Sequence, residues 1–128
     1  MAQFTPGRWP RPHRSGLNNF VETDELNTLV TDAIWRAEEL EDLGIHDTSQ
    51  AWAEVSSIEE ELAKAFPASD VQGKIARRGA VGAALKAGDP ARAQALADAY
   101  LAEEATPESL KAQLREILEP GTQSPENL

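Results

Sequence analysis

Apolar side chains recur every three or four residues between positions 24 and 43, and this period restricts the fold more than any other feature of the chain. A helix turns about 100° per residue, so side chains at this spacing share one face. The face consists of Leu26, Leu29, Val30, Ala33, Ile34, Ala37, Leu40 and Leu43. The spacing therefore predicts an amphipathic helix over residues 24–43 whose apolar stripe packs against another part of the chain.

Trp35 departs from this pattern. It follows Leu26 by nine residues, which places it on the opposite side of the helix, among acidic and hydroxyl side chains. A large indole on an acidic surface indicates that another segment or another molecule covers it. We therefore predict a partner-binding surface on this helix, formed by Trp35, Glu38, Glu39 and Asp42.

Glycine, proline and N-cap residues divide the rest of the chain into four more helices. Gly44 closes the first helix, and the others are expected from Asp47 or Thr48 to Phe66, from Ser69 or Asp70 to Ala87, from Pro90 to Glu104, and from Thr106-Pro107 to Glu119. The third helix contains Gly73, Gly79 and Gly82, each of which costs about 1 kcal/mol relative to alanine. Such a cost is tolerable where a neighbour packs closely, so we expect the third helix to be central.

The predicted fold is all-α, a small bundle of about five helices with an extended N-terminal arm. Residues 1–22 form the arm, residues 23–119 the helical bundle, and residues 120–128 a flexible polar tail. The arm is basic, aromatic and rich in proline, a composition without helical or strand periodicity. Aromatic and arginine side chains are the usual anchors of interfaces. Its predicted partner-binding residues are Phe4, Arg8, Trp9, Arg11 and Arg14.

Charge and composition exclude several classes of function. The net charge of −10 argues against nonspecific nucleic-acid binding, although the first 20 residues carry three arginines and no acid. The absence of cysteine excludes disulfides, thiolate zinc sites and cysteine nucleophiles. No apolar run approaches the roughly 20 residues of a membrane span, and the N-terminus lacks the apolar core of a signal peptide. We therefore expect a cytoplasmic protein without a membrane partner.

Residues that could carry catalysis or bind a metal do not converge in the sequence. There are only two histidines, His13 and His46, and a zinc site without cysteine needs several converging ligands. Consecutive acids such as residues 59–61 are typical of a solvated helical face. Phosphate-binding loops and nucleophile elbows are missing. We expect neither an enzyme nor a cofactor.

Two short stretches resemble known families. Residues 83–100 resemble the helix–Gly-Asp–helix turn of a tetratricopeptide hairpin at Gly88, Asp89 and Ala93, which implies a helical hairpin there. The chain holds one copy, whereas a solenoid needs about three. Tyr100 and Glu104 have the spacing of the export signal of type VII secreted helical hairpins, without their Trp-x-Gly turn. Neither stretch assigns the chain to a family.

The function predicted from these features is a non-catalytic protein–protein interaction module. It is an accessory subunit, adaptor or assembly factor that binds another subunit, or a second copy of itself, through the arm and the acidic helical surface. One alternative is a nucleic-acid-linked regulator that uses Lys74, Arg77 and Arg78 on the third helix. Another is an acidic mimic of a nucleic acid.

Overall fold

The computed structural model describes residues 16–119, with side chains from Thr23 onward. Five α-helices follow one another: α1 (Gly16–Asp42), α2 (Ser49–Ala65), α3 (Val71–Lys86), α4 (Pro90–Leu101) and α5 (Glu108–Leu118). The described part of the chain contains no strand, which confirms the predicted all-α fold. Apart from the start of α1, the helix bounds agree with the predicted ones to within three residues.

Helix α1 begins eight residues earlier than Asp24, so the predicted N-cap at Thr23 or Asp24 is wrong. Residues 17–22 contain neither proline nor glycine, and nothing in them stops the helix from continuing back to Gly16. Residues 16–22 of the predicted arm are therefore helical. Residues 1–15, hereafter the N-terminal segment, and residues 120–128 lie outside the described residues, together with the predictions that fall on them.

Two glycines end helices as the sequence predicts. Gly44 has a φ of 79° and Gly88 has a φ of 78°, a region in which a Cβ would be strained. At the end of α1, the amide of Ile45 donates to the Leu40 carbonyl and the amide of Gly44 to the Glu41 carbonyl, both at 3.0 Å. This pair of bonds is a Schellman motif, which satisfies carbonyls that a helix otherwise leaves unpaired. Gly88 closes α3 with the same pair of bonds.

Aspartates cap the helices on both sides of that turn. The carboxylates of Asp70 and Asp89 accept hydrogen bonds from backbone amides in the first turns of α3 and α4, at 3.3 and 3.0 Å. Thr106, predicted to cap α5, instead donates its hydroxyl to the Tyr100 carbonyl at 2.8 Å. Pro107 occupies the cap position, where it makes no side-chain hydrogen bond.

The contacts between helices make α3 the centre of the bundle, as predicted. It contacts α2, α4 and α5, and α4 also contacts α5. Helix α1 packs against α2 alone and does not touch α3. The core consists of apolar side chains from all five helices, with Leu26, Ile58, Val81, Leu110 and Leu114 among its most deeply buried members.

The three glycines of α3 have different surroundings. A Cβ on Gly73 would overlap the backbone carbonyl of Pro67, and a Cβ on Gly79 would overlap the carboxylate of Glu59. A Cβ on Gly82 would meet open space. Close packing therefore explains two of the glycines and leaves Gly82 without a packing partner among the described residues.

Candidate functional site

The four α1 residues predicted to bind a partner lie together on one exposed face. Trp35 is 68% exposed, and Glu38, Glu39 and Asp42 around it are exposed as well. These four residues, hereafter the acidic face, point away from the side of α1 that packs against α2. The remaining predicted residues, Phe4, Arg8, Trp9, Arg11 and Arg14, lie outside the described residues.

A groove separates α1 from α3, because both helices pack against α2 and do not meet. Its volume is about 210 Å³. One wall comes from α1, the floor from α2 and the other wall from α3, and the lining residues are Ile34, Trp52, Val55, Glu59, Gly79, Gly82, Ala83 and Lys86. We call this feature the α1–α3 groove.

Trp52 forms part of the floor of the α1–α3 groove and is held from both walls. The sequence places it at the edge of the apolar stripe of α2, and the structure buries it. Its indole N–H donates to the Glu41 carboxylate of α1 at 2.7 Å. The Lys86 ammonium of α3 lies 4.3 Å from the centroid of its ring, a cation–π contact. Trp52 therefore links α1 to α3 across the groove.

Glu59 is the least expected residue of the groove. Its place in a run of three acids predicts a solvated side chain, but the residue is only 7% exposed, so that prediction is wrong for Glu59. It lies four residues after Val55 and three before Leu62, which places it on the buried side of α2. That spacing was the sequence signal for its burial. The other two acids of the run, Glu60 and Glu61, are half-buried and pair with basic side chains.

The Glu59 carboxylate has no hydrogen-bond or ion-pair partner among the described residues. Burial alone, through the loss of hydration, raises the pKa of Glu59 to about 7. Gly79 of α3 makes room for this carboxylate, because any larger residue there would overlap it. An ionisable group is thus buried at the groove without the partner that such groups usually have.

Arg77, one of the three basic residues in the nucleic-acid alternative, is engaged inside the bundle. Arg77 is 5% exposed, and its guanidinium donates to both carboxylate oxygens of Glu103 at 2.8 and 3.3 Å. It also donates to the carbonyls of Phe66 and Gly73 and lies 5.3 Å from the centroid of the Tyr100 ring. These contacts weigh against the alternative of nucleic-acid binding, because Arg77 is not accessible to a phosphate.

A second cavity of about 510 Å³ lies where α2 ends beside α3 and α4. Most charged groups around it are already paired, since Arg77 binds Glu103 and Glu60 binds Arg92 at 2.8 Å. The Tyr100 hydroxyl is buried there without a hydrogen-bond partner in the described part of the chain, and burial raises the pKa of Tyr100 to about 12. Because these charged groups already bind one another, the cavity offers few free charged groups to a ligand.

Between residues 23 and 119, no cluster of three or more histidine, aspartate or glutamate side chains could hold a metal ion. None of the five helices combines the length and the apolar character that a membrane crossing requires.

No family model, curated protein or solved structure matches this chain. Two surfaces of the described bundle carry side chains that it leaves uncovered or unpaired: the acidic face with Trp35 and the α1–α3 groove with Glu59.

Proposed function

We propose that this protein is a non-catalytic protein–protein interaction module: an accessory subunit, adaptor or assembly factor. In this proposal it binds another protein, or a second copy of itself, through the N-terminal segment and the acidic face. The supporting observation is the Trp35 side chain, which is 68% exposed on a face that packs against no other described helix.

The chemistry of the two elements fits a shared docking role. A tryptophan that becomes buried in an interface supplies large apolar contact area and is a frequent hot spot. The surrounding carboxylates of the acidic face steer and orient a basic partner, since exposed charges affect association rates more than affinity. The N-terminal segment has the matching composition, with Arg8, Arg11 and Arg14 beside Phe4 and Trp9. We expect this role in the cytoplasm and without a cofactor.

The proposal predicts loss of partner capture when either element is changed. Full-length protein is used as bait in cytoplasmic extract, next to a Trp35→Ala variant and a variant with Arg8, Arg11 and Arg14 all changed to glutamine. We expect the unaltered bait to retain one protein at a stoichiometric ratio and both variants to lose most of it. Analytical ultracentrifugation of the purified protein detects a second copy as the partner.

Gln113→Ala is the matched control, because Gln113 is exposed on α5, which does not contact α1. This variant should capture the partner as the unaltered protein does. Equal capture and an equal oligomeric state for all four proteins would reject the proposal.

A further inference from the structure

The α1–α3 groove contains an unpaired acidic side chain. Glu59 is only 7% exposed as a whole residue, and its carboxylate lies at the groove without a partner among the described residues. The volume of about 210 Å³ is below the roughly 300–1,000 Å³ of small-molecule pockets, so it suits a side chain better than an organic cofactor. Its walls are otherwise apolar or glycine, apart from Lys86, which is engaged over the Trp52 ring.

We infer that the α1–α3 groove binds the N-terminal segment of the same molecule, with the guanidinium of Arg8 paired to the carboxylate of Glu59. The inference rests on the proposed function in one respect, since both treat the N-terminal segment as a docking element. It goes further by naming the surface and the residue pair.

Charge complementarity supports this occupant. Residues 1–15 contain three arginines and no acid, whereas α1 carries two acids near the groove: Glu41, which accepts from the indole of Trp52, and Glu38, one turn after Ile34. Arginine suits a carboxylate within apolar walls, because its planar guanidinium is weakly hydrated and donates two parallel hydrogen bonds. Such a pair would supply the cation that the buried Glu59 lacks.

The direction of the helices supports the same occupant. Short connections make α1 antiparallel to α2 and α2 antiparallel to α3, so α1 and α3 begin at the same end of the bundle. Val71 and Ile75 lie at that end of α3 and are 65% and 46% exposed, although they are large and apolar. Ile75 precedes Gly79 by about one turn, which places an uncovered apolar surface where Trp9 would lie if Arg8 reached Glu59.

The reach of the chain selects Arg8 among the three arginines. Ile34, on the groove wall, is 18 residues from Gly16, about 27 Å along α1 at 1.5 Å per residue. An extended chain spans about 3.4 Å per residue, so the eight residues from Arg8 to Gly16 also cover about 27 Å. The five residues from Arg11 cover about 17 Å and the two from Arg14 about 7 Å. Arg14 cannot reach Glu59 of its own molecule.

The test is the titration of Glu59 in the full-length protein, followed by NMR of the ¹³C-labelled glutamate carboxyl groups. The Glu59→Gln variant assigns the signal, and far-UV circular dichroism checks that each variant is folded. In the unaltered protein we expect a midpoint at or below the ordinary value for glutamate, because Arg8 stabilises the charged form. In Arg8→Gln the midpoint should rise by more than one pH unit towards 7. Arg14→Gln, which removes the same charge, should leave it unchanged.

Three results would overturn the inference. The first is a Glu59 midpoint that is the same with and without Arg8. The second is a shift in Arg14→Gln as large as the shift in Arg8→Gln. The third is a midpoint that changes when the protein is diluted, which would assign the contact to a second copy. None of these results bears on partner capture. Loss of capture together with a Glu59 midpoint that is insensitive to Arg8 would reject the groove contact and keep the proposed function.

Discussion

At the scale of single residues, Glu59 and Arg77 are both buried ionisable residues, but they differ in how many partners surround the charged group. Arg77 has a carboxylate, two carbonyl groups and an aromatic ring around its guanidinium. Among the described residues Glu59 has no such partner, and the groove around it is apolar or glycine apart from Lys86, which lies over the Trp52 ring. Buried charges are stable when they are paired and costly when they are not, so Arg77 stabilises the fold and Glu59 destabilises it unless a cation reaches its carboxylate.

Glu59 gives a pH dependence of stability once Arg8 is removed. Its pKa of about 7 in the fold exceeds the ordinary 4.5, so the folded state binds more protons between these values and its stability falls as the pH rises. At 1.36 kcal/mol per unit, the full loss is about 3 kcal/mol. Urea unfolding of Arg8→Gln protein at pH 4 and pH 8 measures this loss. Adding Glu59→Gln should abolish it, and an unchanged pH dependence in the double variant would assign the effect to other groups.

Arg77 is expected to tolerate no replacement, even by lysine. An ammonium group cannot donate to a carboxylate and two separate carbonyls in the fork geometry that guanidinium provides. Arg77→Lys should therefore lower the free energy of unfolding by about 2 kcal/mol, in the range of lost hydrogen bonds to charged groups. Chemical denaturation checks this value. Arg115→Lys, an identical change at an exposed position of α5, should have no measurable effect; equal effects in both variants would contradict the assigned role of Arg77.

At the scale of helices, the boundaries follow local signals and were largely predictable. Gly44 and Gly88 end helices because only glycine adopts their positive φ without strain, and Asp70 and Asp89 begin helices through their carboxylates. The start of α1 was missed because residues 17–22 carry no signal of either kind. Where a helix continues through a segment without a cap or a helix-breaking residue, the sequence does not show where it begins.

Two glycines of α3 allow the effect of helix propensity on stability to be distinguished from the effect of close packing. Gly73→Ala should destabilise the protein by about 1–3 kcal/mol, because the new methyl group meets the backbone carbonyl of Pro67, which cannot move independently. In protein that lacks the N-terminal segment, Gly82→Ala should instead stabilise the fold by up to about 1 kcal/mol, since the methyl group then meets open space and alanine favours the helix. Thermal unfolding of both variants provides the comparison. A loss of stability in Gly82→Ala would mean that something covers this position in solution.

At the scale of the whole molecule, the acidic face was predictable and the α1–α3 groove was not. The exposure of Trp35 follows from the helical period of its own segment. The groove depends on three helices that pack in a particular order, and the Glu59 site depends on Gly79, twenty residues away in the sequence. Local patterns specify which side of a helix is apolar, but not which two helices leave a space between them.

Helix α1 is joined to the rest of the bundle through α2 alone. It can therefore open as a separate unit while the contacts among α2, α3, α4 and α5 persist, at a free energy below that of unfolding the whole molecule. Any molecule that bridges α1 and α3 binds only the closed form and raises the cost of opening by mass action. An occupant of the groove thus lowers the fraction of molecules in which α1 is open.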